Sequence, residues 1–125
     1  MTDEPKLLII EDDEFLVKIY ESKFKAAGFQ VESALGGEEG VVMARSIKPD
    51  LILLDLIMPN KNGFQVLEEL QADPEFKKIP VVVLSNLGQE ADIKRALEGG
   101  AVDYIVKADV TLQDIIEKLK TYLKN

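Results

Sequence analysis

The residues Leu51-Ile52-Leu53-Leu54 form an unbroken apolar block that ends directly at a carboxylate, Asp55. Two other apolar blocks of the same length lie at residues 7–10 and 81–84. Short continuous apolar runs are typical of parallel strands that are buried on both faces of a sheet. Residues 30–34 and 103–106 are weaker strand candidates, so the pattern predicts five strands.

Between these blocks the apolar residues change to the spacing of amphipathic helices. The helical segments lie at residues 16–27, 41–47, 64–70, 93–97 and 112–123. Gly28 follows the first segment and Gly99-Gly100 follow the fourth, as expected where a helix ends at a residue with positive φ. Strands that alternate with helices predict an α/β protein with a five-stranded parallel sheet, covered on both faces through right-handed crossovers.

The composition limits both the number of domains and the possible chemistry. The chain has 125 residues, and we expect a single domain over residues 1–125. Its 23 acidic and 15 basic residues give a net charge of −8, which argues against nucleic acid as a direct partner. The absence of cysteine and histidine excludes disulfides, thiolate chemistry, Ser-His triads and most metalloenzymes. No apolar run approaches the ~18 residues of a membrane span, and the two acids within residues 1–6 are unlike a signal peptide. We therefore expect a cytoplasmic protein, without a membrane partner, whose chemistry uses oxygen ligands.

Polar residues follow four of the five predicted strands. In an open parallel sheet, ligands bind outside the carboxyl ends of the strands. The residues at these ends are Glu11-Asp12-Asp13, Asp55, Ser85-Asn86 and Lys107. The sequence therefore predicts that acids, a hydroxyl and one ammonium converge at one edge of the sheet.

These acids have ordinary explanations as well as functional ones. Asp55 could be a turn residue at a strand end, and Asp13 is expected to cap the following helix. Two carboxylates about 4 Å apart repel by about 4 kcal/mol at an effective dielectric of ~20, so Asp12 beside Asp55 would need a cation. Lys107 can supply one positive charge, and Mg²⁺, which prefers oxygen ligands, can supply two. Ca²⁺ fits less well, because the sequence contains no EF-hand loop.

The chain resembles the receiver domain of two-component response regulators from residue 7 to about residue 123. The resemblance is carried by Ile10-Glu11-Asp12-Asp13, by Leu53-Leu54-Asp55-Leu56-Ile57-Met58-Pro59 with Gly63, by Leu84-Ser85 and by Tyr104-Ile105-Val106-Lys107. It implies a stand-alone receiver with a doubly wound (βα)5 fold, a flavodoxin-like three-layer sandwich around a five-stranded parallel sheet.

The resemblance also implies a role for each residue at the strand ends. Asp55 would accept the phosphoryl group, with Mg²⁺, or Mn²⁺ in its place, held by Asp12 directly and by Glu11 through water. Asp55 itself and the backbone carbonyl of Ile57 would complete the protein ligands. Ser85 would donate a hydrogen bond to the phosphoryl oxygens, and Lys107 would pair with the phosphoryl group or with Asp55.

The function implied by the resemblance is phosphorylation-dependent signalling. A histidine kinase or phosphotransfer protein would donate the phosphoryl group from a phosphohistidine, and the chain would catalyse only its own phosphorylation and slow dephosphorylation. Phosphorylation would draw Ser85 toward the phosphoryl group, and Tyr104 would turn inward to fill the space. The face of the fourth helix, fifth strand and fifth helix would then contact a downstream effector protein. The protein would be a monomer, or a dimer through that face.

One position departs from the family pattern, and two others occur where the family tunes hydrolysis of the acyl phosphate. Ala108 follows Lys107 where the family usually has a proline joined by a cis bond. A cis bond before a residue other than proline costs ~3–4 kcal/mol, so we expect a trans bond and a different direction for Lys107. Ile57 and Leu87 stand at positions that usually tune hydrolysis of the acyl phosphate, and neither side chain can hydrogen-bond an attacking water. We therefore expect slow loss of the phosphoryl group.

Other functions remain open from the sequence. A degenerate receiver would keep the acidic pocket as a structural feature and bind proteins without phosphorylation. A nucleotide hydrolase would need a G-x-x-x-x-G-K-[ST] loop, for which Gly36-Gly37 is no substitute. A phosphatase of the haloacid-dehalogenase type would need a second aspartate at position 57, which is Ile57.

Overall fold

The computed structural model describes residues 4–123, which form five strands and five α-helices in strict alternation. The strands are β1 (Lys6–Ile10), β2 (Gln30–Ala34), β3 (Leu51–Leu54), β4 (Val81–Ser85) and β5 (Asp103–Val106). The helices are α1 (Glu14–Ala26), α2 (Gly37–Ile47), α3 (Gly63–Ala72), α4 (Glu90–Glu98) and α5 (Leu112–Thr121). A short 3₁₀ turn, Lys107–Asp109, connects β5 to α5. The predicted α/β architecture is confirmed.

All five strands are parallel, in the order β2-β1-β3-β4-β5. The chain runs from β1 outward to β2 and then crosses back to β3 on the other side of β1. The crevice between β1 and β3 is therefore the point where the direction of winding reverses, which is where doubly wound sheets bind ligands.

The core consists of two apolar layers, one on each face of the sheet. Successive strand residues point to opposite faces, so Leu8 and Ile10 lie in one layer while Leu7 and Ile9 lie in the other. Helices α2 and α3 cover the first face, with Val41, Ala44, Val66, Leu67 and Leu70 buried against it. Helices α1 and α5 cover the second, with Tyr20, Phe24, Ile115, Ile116 and Leu119. This burial on both faces explains why three of the strands are continuous apolar runs.

Side-chain caps fix the starts of three helices, α1, α3 and α5. The Asp13 carboxylate accepts hydrogen bonds from the amides of Phe15 and Leu16, so the predicted cap of α1 is confirmed. Asn62 caps α3 and Thr111 caps α5, each in a reciprocal capping box. Within residues 4–123, no helix combines the length and apolar character needed to cross a membrane.

Candidate functional site

The carboxyl ends of β1 and β3 bring the predicted acids together. Ile10 and Leu54 are partners in the β1–β3 ladder, and the amide of Asp55 donates to the carbonyl of Ile10 at 3.0 Å. Glu11 and Asp55 therefore follow their strands at neighbouring positions. One carboxylate oxygen from each of Glu11, Asp12 and Asp55 lies within 4.8 Å of the other two. The predicted convergence of these acids is confirmed.

Two of the three carboxylates are buried. Glu11 is 3% exposed and Asp55 is 7% exposed, whereas Asp12 reaches solvent. The amide of Asp13 donates to Glu11 Oε2 at 3.1 Å, so the start of α1 also orients the Glu11 side chain. The pocket thus has a buried floor formed by Glu11 and Asp55, and Asp12 lies at its opening.

Lys107 reaches this pocket from the end of β5. Its Nζ lies 2.7 Å from Glu11 Oε1 and 3.7 Å from Asp55 Oδ2. Lys107 thus makes its short hydrogen bond with Glu11, although the sequence favoured Asp55 as its protein partner. No peptide bond between residues 4 and 123 is cis, so the expected trans bond before Ala108 is confirmed. Lys107 begins the 3₁₀ turn, and its side chain reaches the acids with a trans bond to Ala108.

Burial and charge shift the pKa values of these groups. Burial raises the pKa of Glu11, and although the hydrogen bond from Lys107 lowers it, the charge of Asp55 raises it further. Burial and the charge of Glu11 raise the pKa of Asp12. Burial lowers the pKa of Lys107, but the hydrogen bond to Glu11 and the charge of Asp55 outweigh burial, so the pKa is raised. Lys107 therefore stays charged. Its hydrogen bond does not fully cancel the effect of burial on the pKa of Glu11, which remains raised.

The donor set fits a hard divalent cation. Among residues 4–123, three carboxylates face the Lys107 ammonium, so two negative charges remain uncompensated when all three acids are ionised. The ligand atoms that these acids offer are carboxylate oxygens, the type that Mg²⁺ prefers. The residues that could hold such an ion are Glu11, Asp12 and Asp55, the acids predicted from the sequence.

The loop after β3 closes tightly beside the pocket. The amide of Gly63 donates to the carbonyl of Leu56 at 3.0 Å. A Cβ atom at Gly63 would overlap the carbonyl of Asp55 and the Cα of Leu56, so only glycine permits this approach. Inside the loop, the amide of Ile57 donates to Asp55 Oδ1 at 3.4 Å, and the Ile57 side chain is 54% exposed. The backbone of Ile57 therefore lies next to the Asp55 carboxylate.

Ser85 and Tyr104 are linked through the backbone of Leu87. Ser85 is fully buried at the end of β4, and its Oγ accepts a hydrogen bond from the Leu87 amide at 3.3 Å. The hydroxyl of Tyr104 donates to the Leu87 carbonyl, and its half-buried ring packs against the core layer that contains Leu87. The Tyr104 ring is therefore half-buried and tied through its hydroxyl to the segment that follows β4.

A groove of about 440 Å³ borders the pocket next to Lys107. It lies between α1 and the segment that follows β5, and it is lined mainly by apolar side chains such as Leu16, Ile19 and Val110. Asn86, which follows β4, lies on its wall and is exposed.

One charged cluster near the site gave no recognisable sequence signal. Lys61, in the loop after β3, forms ion pairs with Glu69 of α3 and with Glu38 of α2. Its partners are far apart in the chain, and no motif or helical spacing connects them.

Comparison with known proteins gives one consistent result. The model of the response regulator receiver domain matches residues 7–120. The polar-differentiation response regulator DivK of Brucella anthropi is 32% identical over 117 residues, which cover 94% of each protein. The DNA-binding dual master transcriptional regulator RpaA of Synechocystis is 33% identical over 120 residues, which cover 96% of this chain. The matched residues cover 49% of RpaA, so this chain spans about half the length of that protein. The chemotaxis protein CheY4 of Vibrio cholerae has the same fold, with a TM-score of 0.89 at 22% identity over 95% of this chain and 98% of that one.

Proposed function

The chain belongs to the response regulator receiver family, and we propose that it accepts a phosphoryl group on Asp55 from a phosphohistidine of a histidine kinase or phosphotransfer protein. The domain over residues 1–125 would then signal to an effector protein by a change of its surface.

The arrangement of partners around Asp55 carries this proposal. Glu11 takes the short hydrogen bond from Lys107 at 2.7 Å, whereas the contacts of Asp55 are long, 3.4 Å to the Ile57 amide and 3.7 Å to Lys107. Asp55 is therefore the less engaged of the two buried carboxylates. An ionised carboxylate is a competent nucleophile for phosphoryl transfer, and it needs no histidine base. An oxygen of Asp55 would bond to phosphorus while the phosphorus–nitrogen bond of the donor breaks and the imidazole leaves.

The remaining residues position the group and neutralise its charge. Glu11, Asp12, Asp55 and the Ile57 carbonyl would hold Mg²⁺, which neutralises negative charge on the attacking and transferred oxygens when bound. Lys107 would add a second positive charge. The Ser85 oxygen accepts a hydrogen bond from the Leu87 amide, and the hydroxyl also carries an O–H that would be donated to a phosphoryl oxygen.

The same contacts support a route for the signal. A phosphoryl group adds close to two negative charges and three acceptor oxygens. If Ser85 turns toward it, the Leu87 amide loses its acceptor, and the Leu87 carbonyl is the group that holds the Tyr104 hydroxyl. We expect the structural change to pass through Leu87 to α4, β5 and α5. There it would control binding of the effector or formation of a dimer.

A donor protein would lie over the groove beside the pocket. Lys107 lines the groove and also contacts both buried acids, so a phosphohistidine that reaches Asp55 from this side brings its protein over the apolar wall. The apolar lining of Leu16, Ile19 and Val110 offers a protein donor a surface to pack against.

The test is incubation of the purified protein with phosphoramidate and Mg²⁺, followed by intact-mass measurement. The wild-type protein should gain the mass of one phosphoryl group, and the gain should disappear in Asp55→Asn or when the metal is chelated. Asp13→Asn is a matched control, because asparagine also caps a helix and the residue lies outside the pocket. A wild-type protein that gains no mass would instead support the degenerate receiver, which binds partners without phosphorylation.

A further inference from the structure

The loop between β3 and α3, residues 55–62, contains Ile57, whose carbonyl is a proposed metal ligand. A backbone ligand has no side chain to adjust, so its position depends on how firmly the loop is held. The ends of the loop are fixed by the bond from Asp55 to Ile10 and by the bond from Gly63 to Leu56. Ile57 is largely exposed between Leu56 and Met58, which are buried in the core, and residues 59–60 are exposed, so the second half of the loop needs a separate anchor.

Lys61 provides contacts of this kind to two helices. Its ammonium pairs with Glu69 on α3 and lies 3.5 Å from Glu38 in the first turn of α2. The Lys61 side chain is 18% exposed, so the pair with Glu69, which is 42% exposed, is partly shielded from water. Glu38 is 82% exposed and contributes less.

The backbone of Lys61 is held as well as its side chain. Its carbonyl packs directly on Gly37, where a Cβ atom would overlap it. The next residue, Asn62, caps α3 by accepting a hydrogen bond from the Gln65 amide at 3.0 Å. The loop is therefore seated on the start of α2 and on α3 at the same residue whose side chain makes the ion pairs.

We propose that Lys61 is a positioning residue for the metal centre. By tying the loop to α2 and α3, it holds the Ile57 carbonyl where a cation between Glu11, Asp12 and Asp55 can use it. This inference rests on the proposed function, because it assumes that Mg²⁺ binds in that pocket.

The direction in which Mg²⁺ affinity changes when Lys61 is replaced separates positioning from electrostatics. Lys61 is a cation six residues after Asp55 in the chain. If it acted only through its charge, its removal would reduce repulsion and tighten binding of Mg²⁺. If it positions the loop, its removal loosens a ligand and weakens binding.

Calorimetric titration with Mg²⁺ tests this difference in the metal-free protein. Lys61→Met should weaken Mg²⁺ binding by about tenfold, the lower end of what outer contacts of metal sites contribute. Lys61→Arg, which keeps the charge and can pair with Glu69, should bind within about twofold of wild type. Glu69→Gln should weaken binding in the same direction as Lys61→Met. The matched control is Lys118→Met, which removes another ion-paired lysine, 3.4 Å from Asp103 on a different face.

Amide hydrogen exchange without metal gives a second readout. The amides of Ile57 and Gly63 should exchange faster in Lys61→Met than in wild type, while the melting temperature changes little. Mg²⁺ binding by Lys61→Met as tight as wild type or tighter, or unchanged exchange at these two amides, overturns the inference and leaves phosphorylation of Asp55 intact. A wild-type protein that binds no Mg²⁺ overturns both this inference and the proposed function.

Discussion

Replacement of Lys107 by methionine should destabilise the metal-free protein strongly at neutral pH. Methionine keeps most of the apolar volume but leaves Glu11 and Asp55, which are 3% and 7% exposed, without their ammonium. Removing one partner of a buried ion pair costs about 3–5 kcal/mol, and we expect about 3 kcal/mol because the pocket opens to solvent at Asp12. For a domain of this size that corresponds to a fall of roughly 12 °C in melting temperature.

The loss should depend on pH in a defined direction. Burial raises the pKa of Glu11 above its ordinary value of 4.5, against the lowering effect of the hydrogen bond from Lys107. Because its pKa is raised in the folded protein, Glu11 adds to stability at pH values below its pKa in the unfolded chain. This contribution is lost as pH rises through its pKa in the folded protein. Without Lys107 the pKa of Glu11 rises further, so the variant should regain stability as pH falls toward about 5.

Mg²⁺ should compensate for the missing lysine. At 100 times its dissociation constant, a ligand stabilises the folded state by about 2.7 kcal/mol. The assay is urea denaturation followed by circular dichroism, with chelator or with Mg²⁺, between about pH 5 and pH 8. Lys118→Met, an exposed ion pair, should lose less than about 1 kcal/mol. A Lys107→Met protein that is as stable as wild type at neutral pH in chelator, or that gains nothing from acid, would refute the assignment of Lys107 as the counter-charge of the pocket.

Three further changes test other contacts of the site. Gly63→Ala places a methyl group against the Asp55 carbonyl, and overpacking of this kind should lower the free energy of unfolding by roughly 1–3 kcal/mol in a urea titration; an unchanged value would mean that the loop is not tightly closed. Tyr104→Phe removes the hydrogen bond to the Leu87 carbonyl and should lower stability by about 1 kcal/mol, and the nuclear magnetic resonance signal of Leu87 should shift; no change at Leu87 would contradict the link. The phosphorylated wild type should lose its phosphoryl group slowly. Ile57→Asn should speed the loss, because an asparagine side chain can orient an attacking water. A lifetime of seconds for the wild type in Mg²⁺ without a phosphatase would contradict this expectation.

The strands were predictable because their burial imposes a pattern on the sequence. Residues 30–34 and 103–106 match β2 and β5, and the block at 51–54 matches β3. The last helical stripe was predicted to run to residue 123, but α5 ends at Thr121. Leu123 still packs against the core, and an apolar side chain can do so beyond the last helical residue, so the stripe alone overestimates the helix.

The acidic pocket was predictable for a related reason. In a parallel sheet all carboxyl ends lie at one edge, so residues that follow β1 and β3 must be neighbours. The order of the strands then places Glu11 beside Asp55 without further information.

The partner of each side chain was not predictable in the same way. Whether Lys107 pairs with Glu11 or Asp55 depends on a difference of 1 Å in reach between two neighbouring acids. The ion pairs of Lys61 and the bond from Tyr104 to a backbone carbonyl join positions that no periodic pattern connects. Such contacts are set by the packing of loops on helices, which composition and spacing do not encode.

A crystal structure of the protein with Mg²⁺ and beryllofluoride, a mimic of the phosphoryl group, would examine the pocket in its loaded form. We expect beryllium bonded to a carboxylate oxygen of Asp55, with the metal ion held by Asp12, Asp55 and the Ile57 carbonyl, and with Lys107 and Ser85 on the fluorines. Beryllofluoride on another residue, or a metal ion bound away from these acids, would contradict the assignment of Asp55 as the phosphoryl acceptor.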